Sequence, residues 1–253
     1  MVMLKRRFRP SLLMTGLTAA FVALTVALGN WQLRRAGEKQ ARIDLLEARR
    51  QLPAYDLNGG VAAGAVAPGA PPGALAWRMV RASGAYLGRD QLLIDNRVHD
   101  HIAGYHVVAP LQLDGRREIV LINRGWLAAG ADRARIAAPP LPRGAVTVQG
   151  IAAIPTRAGI QLGDPAYPVP ATADVLWPEL DLSRFGAATG LPVLPVVVEQ
   201  TDAAADALVR DWPPPPDDVP MHRAYALQWY TFGGIALALY AGLNLKRPRV
   251  EHG

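Results

Sequence analysis

Residues Ser11–Leu33, SLLMTGLTAAFVALTVALGNWQL, run for 23 positions without one charged side chain. A bilayer's hydrocarbon core is about 30 Å thick and needs about 20 residues of helix, because a backbone polar group left unpaired in lipid is costly. The stretch is read as a transmembrane helix over 11–33. A second charge-free run, Ala224–Leu245, AYALQWYTFGGIALALYAGLNL, is read as another over 224–245. The two frame the rest of the chain.

A net charge of +6 and a pI near 10.0 would suggest nucleic acid if the basic residues covered a folded surface. They do not. Lys5, Arg6, Arg7 and Arg9 sit in the tail 1–10, and Lys246, Arg247 and Arg249 face only Glu251 in the tail 246–253. Residues 34–223 hold 20 basic and 20 acidic side chains, so no nucleic acid partner is expected. Basic residues outside both runs place the two termini in the cytoplasm and residues 34–223 across the bilayer. For the first run a cleaved signal peptide is the rival reading, since Ala27-Leu28-Gly29 resembles a small-x-small cleavage site. The run is longer than the usual apolar region of about 7 to 15 residues in such peptides, which favours an uncleaved anchor.

Hydrophobic residues at 51% against 19% charged argue against wholesale disorder. With 24 Gly and 22 Pro the chain should make many turns and few long soluble helices. The absence of cysteine excludes disulfides, thiolate metal sites and cysteine nucleophiles.

Within the exported segment, 34–51 carries good helix formers and a Glu38/Arg42 pair four residues apart, so helix should continue out of the membrane. Residues 52–76 are expected to be a linker, Gly/Ala/Pro-rich from Gly59 to Ala74. From Trp77, short apolar runs alternate with turn signals: WRMVRASGAYL, QLLIDNR, YHVVAPLQL, EIVLINRGWL, VTVQGIAAI and LPVLPVVVEQ. These are strands, and the breaks at Leu87-Gly88-Arg89-Asp90 and Leu113-Asp114-Gly115-Arg116 join neighbours as hairpins. One short helix is expected in DLSRFGAATG, with Asp181 or Ser183 as its N-cap and Gly190 as its stop. Trp212–Pro220, WPPPPDDVP, should be a stiff extended strut. The expected fold is a membrane protein of α+β class: two transmembrane helices flank a mainly antiparallel β domain, 77–212, built as a small barrel or sandwich with one short helix.

Three sets of residues carry candidate chemistry. On a helix, His222, Tyr225, Ala226 and Trp229 share one face. A neutral imidazole there suits haem iron, with an aromatic ring one turn deeper to lie against the macrocycle; the other reading is an interfacial histidine solvated by headgroups. At the exported end of the first run stand Gly29, Asn30, Trp31, Gln32, Leu33, Arg34 and Arg35. If this end neighbours His222, Arg34, Arg35 or Arg223 can meet anionic groups such as haem propionates, and Gly29 permits close helix approach; snorkelling arginines and a Trp anchor are the commoner use. The third set is His99, Asp100, His101 and His106, where two histidines on one strand face would suit copper or zinc, or belong to an exposed turn. No G-x-S-x-G, H-E-x-x-H or G-x-x-x-x-G-K-[ST] is present, so no familiar enzyme is expected.

Leu28-Gly29-Asn30-Trp31-Gln32-Leu33-Arg34-Arg35 with Lys39, Gly84-Ala85-Tyr86 through Asp95-Asn96-Arg97 and Gly104-Tyr105 to Asn123-Arg124-Gly125-Trp126, and His222 to Trp229 follow in an order, inside this two-span frame, that resembles the Surfeit locus protein family of cytochrome c oxidase assembly factors. The resemblance covers nearly the whole chain, except 52–76 and 155–180. It implies a bacterial inner-membrane assembly factor and not an enzyme, a chaperone of respiratory-chain biogenesis whose central domain is periplasmic. It further implies that haem a is bound transiently, with His222 as iron ligand and Trp229, Tyr225, Trp31, Arg34 and Arg223 around it. Oxidase subunit I and haem A synthase are the implied partners. Arg124-Gly125-Trp126 is similar to the family's most recognisable tripeptide, and its physical role is read as structural. Pro220 and Met221 stand where the family often has a polar residue, leaving Met221 open as a second soft ligand. The alternatives are a docking module that stabilises subunit I without haem, and a copper metallochaperone using His99, His101 and His106.

Overall fold

A computed structural model describes residues 7–8, 10–59, 72–88, 91–130, 138–155, 175–213 and 218–246. Most of both expected basic tails, residues 60–71 of the expected linker and 214–217 of the expected strut lie outside the described residues. In chain order the elements begin with β1 (Arg7–Phe8), α1 (Leu12–Arg50), β2 (Tyr55–Asp56), β3 (Met79–Tyr86) and β4 (Leu92–His99). Then come β5 (Ile102–Leu113), β6 (Ile119–Ala128), β7 (Ala145–Ala153) and β8 (Val175–Trp177). The chain continues through α2 (Leu182–Thr189), β9 (Val193–Gln200), α3 (Val219–Asn244) and β10 (Leu245–Lys246). It divides into two units, 1–45 with 215–253, and 46–214.

In the first unit, α1 is the one helix among the described residues that is long and apolar enough to cross a membrane. The second expected span corrects to a weaker case. It does form a helix, α3, of 26 residues, but Gln228, Trp229, Tyr230 and Thr231 dilute the apolar character of its first half. The two helices run antiparallel, as the β1–β10 pairing Arg7↔Lys246 and Phe8↔Leu245 requires at their far ends. Within this unit Thr25, Gly29, Gln32 and Ala36 are the buried positions of α1, spaced four, three and four apart; Val219, Ala226 and Gly233 on α3 are seven apart. That is the 3.5-residue repeat of a left-handed helix pair. The seam is small and polar, the character that lets helices associate where no hydrophobic force separates them from lipid. Leu13, Leu17 and Leu24 on α1 and Leu227, Ile235, Leu239 and Leu243 on α3 are exposed.

The second unit is a mixed sheet in the order β2-β3-β7-β9-β6-β5-β4-β8. It closes because β3 pairs with β7 along its length and also, through Gly84–Tyr86, with Leu111–Leu113 of β5. Five strands, β3, β7, β9, β6 and β5, thus form a small barrel, deciding between barrel and sandwich. Val80, Ala82, Leu111, Leu113, Val120, Ile122, Val148, Val196 and Val198 fill it. The alternate residues Val108, Ile119, Leu121 and Val197 point to the other face, where Leu92, Ile94, Trp177 and Phe185 cover them. Three pairings, β2–β3, β4–β8 and β6–β9, are parallel. The hairpin signals predict only antiparallel neighbours; long connections, such as 129–192 between β6 and β9, are what permit parallel ones. In α2, Asp181 Oδ1 accepts from Arg184 N at 3.0 Å and Gly190 ends the helix at φ 70°.

Arg124-Gly125-Trp126 lies at a β-bulge: Val107 faces Gly125 but Val108 faces Asn123, so Arg124 has no opposite residue. The bulge turns Arg124 inward, where it donates to Gln91 Oε1 (2.8 Å), the carbonyls of Pro139 (2.8 Å) and Pro140 (3.1 Å) and Asp206 Oδ2 (3.1 Å). Gly125 has φ 144°, and a Cβ there would meet Leu208 Cβ and Val209 O at 2.8 Å. Trp126 bridges to Val209, and its indole donates to Arg97 O at 2.8 Å. Gly125→Ala should therefore cost about 2 kcal/mol or more of unfolding free energy, against about 1 kcal/mol for Gly115→Ala, whose φ is 71° in open space. Equilibrium denaturant unfolding of the two variants checks the difference.

Candidate functional site

Two places in the chain gather polar side chains where apolar ones would pack more cheaply. The first is the α1–α3 seam. There His222 Nδ1 and Gln32 Oε1 are 2.6 Å apart. An amide oxygen only accepts, so the imidazole donates through Nδ1–H, and whenever the ring is neutral it is Nε2 that keeps the lone pair. Further contacts flank the pair: Tyr230 OH donates to Asn30 Oδ1 at 2.7 Å, and Lys39 pairs with Asp218 at the start of α3. The Lys39 ammonium, with His222 nearby, holds the Asp218 carboxyl below the usual carboxylate range. Gly29 lies under the Tyr230 ring, where a Cβ would meet ring carbons at 2.6 and 2.8 Å.

The C-terminal end of the first run and the start of the second charge-free run are thus neighbours. Trp31, Arg34, Arg223 and Tyr225 are exposed, without a side-chain hydrogen bond to any described residue. Trp229 packs edge to face on Phe232, ring centroids 5.9 Å apart, and Arg35 pairs with Glu38 at 2.6 Å. Met221 is exposed. Sequence reasoning quoted Gln32 but missed its role. Its signal was an amide inside an apolar run, in register with Thr25, Gly29 and Ala36.

The second place is the outer face of the barrel. Asn123 of β6 lies between β5 and β9: its Nδ2 donates to His106 Nδ1 at 3.2 Å, and Glu199 is its register partner on β9. Asn123 is 5% exposed and its Oδ1 has no hydrogen-bond partner. Burial and the nearby Arg97 lower His106 to about 4, and burial raises Glu199 to about 7. His106 and Glu199 open into a cleft of about 640 Å³ whose walls include Trp77, Trp126 and Trp212. Trp126 faces His106 across β5–β6, and Trp212 meets the His106 ring at 5.4 Å.

The histidines of the copper reading separate. Asp100 and His101 are the turn residues between β4 and β5, with φ 46° and 65°, so His99 and His101 do not alternate along one strand. His99 packs on Trp126 with centroids 5.2 Å apart and pairs with Asp100 at 3.5 Å, while His106 is held by Asn123. Among the described residues no three His, Asp or Glu side chains are placed to hold a metal ion.

Residues 19–234 match the model of the SURF1 family. A SURF1-like protein of Monosiga brevicollis is 25% identical over 250 residues, an alignment covering 88% of this chain and 84% of that protein.

The folded chain holds the Glu199 proton up to about pH 7, whereas an unfolded glutamate releases it near its ordinary value. Between those values the folded state binds more protons, so this residue makes stability fall as pH rises through the window and level off above it. Glu199→Gln should remove that fall. Urea unfolding of both proteins at pH 5 and pH 7.5 reads it as a smaller loss of stability at pH 7.5 in the variant.

Proposed function

We propose that this chain, which belongs to the SURF1 family, is an assembly factor for cytochrome c oxidase that receives haem a at the periplasmic rim of the bacterial inner membrane and assists its insertion into subunit I. Membership of the family is consistent with a role in oxidase assembly. The protein acts by binding and handing on, and not by turnover of a substrate. The observation that carries the reading is the bond from His222 Nδ1–H to Gln32 Oε1. A histidine that ligates a metal through one nitrogen usually donates its other N–H to a neighbouring acceptor, which fixes both ring orientation and tautomer. Gln32 is such an acceptor, and Nε2 is left to meet iron.

The exposed groups beside His222 suit the remaining needs of a macrocycle with two carboxylates. Arg34 and Arg223 have no guanidinium partner among the described residues and suit propionates, and exposed Trp31 and Tyr225 with half-buried Trp229 offer aromatic faces. The outward leucines of α3 support placing it in the bilayer beside α1 as a second span, with both termini cytoplasmic. The seam supplies what its composition lacks in hydropathy, because the polar atoms of Gln32, His222, Asn30 and Tyr230 satisfy one another. Haem A synthase is the source of the cargo in this scheme, and subunit I its destination.

The test is an absorption spectrum and haem extraction of detergent-purified protein from cells that make haem A. Wild type should carry haem a and His222→Ala should have lost it, with subunit I maturing poorly in cells that hold only the variant. Haem in neither protein, with maturation unaffected by His222→Ala, overturns haem carriage and leaves a module that stabilises subunit I by docking alone.

A further inference from the structure

Glu199, Asn123 and His106 form a row across three adjacent strands of the barrel, β9, β6 and β5, all on the face that bears Val197, Leu121 and Val108. Asn123 uses its amide N–H on His106, and since Nδ1 of His106 accepts that bond, the ring is neutral with its N–H on Nε2. Above about pH 7, where Glu199 has released its proton, two acceptors of the row are without a donor. Asn123 Oδ1 is buried and unpaired, and the neighbouring Glu199 carboxylate has neither a hydrogen bond nor an ion pair with any described residue. A buried acceptor without a donor is costly, and more so if it is charged. Asn123 Oδ1 bears that cost at the edge of the cleft, beside a half-buried Glu199 carboxyl that also has no donor, and a donor-rich ligand would remove it.

The rest of the cleft points to the sign and shape of that ligand. Among its lining groups Asp100, Asp211 and Glu199 are carboxylates, against the one guanidinium of Arg97. Trp126, the register partner of His106, and Trp212, whose ring meets His106 edge to face, both line the cleft, and indole faces attract cations, guanidinium groups above all. A planar guanidinium offers five N–H donors in a fixed fork, which suits two acceptors on adjacent strands better than an ammonium does. The cleft is larger than a guanidinium alone, and Ile151 and Ile154 add aliphatic wall for a methylene stem. Backbone strain gathers here too: Trp77, Asn96 and Asp100 all line the cleft and all hold positive φ, of 66°, 56° and 46°.

We propose that this cleft binds the side chain of an arginine presented by a partner polypeptide, with Glu199 and Asn123 Oδ1 as acceptors and Trp126 and Trp212 as walls. The proposal is independent of haem carriage by His222. It gives the barrel a recognition role of its own.

The experiment titrates the detergent-solubilised full chain with acetyl-Gly-Arg-Gly-amide, following tryptophan fluorescence, beside the same peptide with citrulline, which keeps the shape but is uncharged. Saturable binding of the arginine peptide is expected, with the citrulline peptide at least tenfold weaker. Glu199→Gln should weaken the arginine peptide by about tenfold and bring it level with citrulline. The citrulline comparison uses wild-type protein, so it stands even if the variant fails to fold. Equal binding of the two peptides to wild type overturns the proposal. So does an unchanged affinity in folded Glu199→Gln, or the absence of saturable binding to about 10 mM peptide.

Discussion

The hydrogen bond from His222 to Gln32 joins two helices at residues 190 positions apart, at a seam where Gln32 is buried and His222 half-buried. Where two helices close on each other, a buried polar atom is costly unless it finds a partner across the seam. That constraint explains the neighbouring contacts. Gly29 is small because the Tyr230 ring occupies the space where its Cβ would be, and Gly233 is small because Thr25 does the same from α1. With those approaches fixed, Tyr230 reaches Asn30 and Lys39 reaches Asp218. The same bond leaves one imidazole nitrogen uncommitted, which joins the packing of the helices to the chemistry proposed for His222.

The barrel rests on a different device. One extra residue in β6, Arg124, is driven inward by a bulge and satisfied by two carbonyls, an amide and a carboxylate. Arg210 also pairs with that carboxylate, Asp206, at 2.6 Å. A buried guanidinium with four acceptors rigidifies the loops that supply them, and removing it would strand Asp206 beside one cation in place of two. Tyr86, whose ring lies 6.0 Å from the Arg124 guanidinium, is raised to about 12 because burial outweighs the neighbouring cation. The tripeptide that looked most family-like in sequence is thus a piece of architecture. Asn123, whose Oδ1 has no partner, precedes it in β6, and Glu199 stands opposite Asn123 on β9.

Much of this was legible in the sequence where local chemistry decides the outcome. The charge-free run at Ser11 gave α1, the alternating runs from Trp77 gave six strands, and Asp181 and Gly190 marked the ends of α2 because caps are local hydrogen-bond requirements. What failed to show was non-local. No turn signal announces that Gly84–Tyr86 also pairs with β5, or that β6 and β9 run parallel. The alternation of His99 and His101 misled because Asp100 and His101 form the turn itself. At the helix pair, His222 was singled out by residue type, but Gln32 was not, since its partner stands in a helix far along the chain. The hydropathy of α3 was overread for the converse reason: freedom from charge is not the same as being apolar.

The most direct test of the account is a disulfide. The chain has no cysteine, so an introduced pair reports without background. A Cβ on Gly233 would stand 3.8 Å from Thr25 Cβ, inside the usual range for bridged cysteines. In a Thr25→Cys, Gly233→Cys double variant kept in its native membrane, mild oxidation should close an intramolecular bond nearly completely, leaving no thiol for a maleimide label. Two thiols that stay reactive in folded protein would contradict the helix seam, and with it the placement of His222 against Gln32.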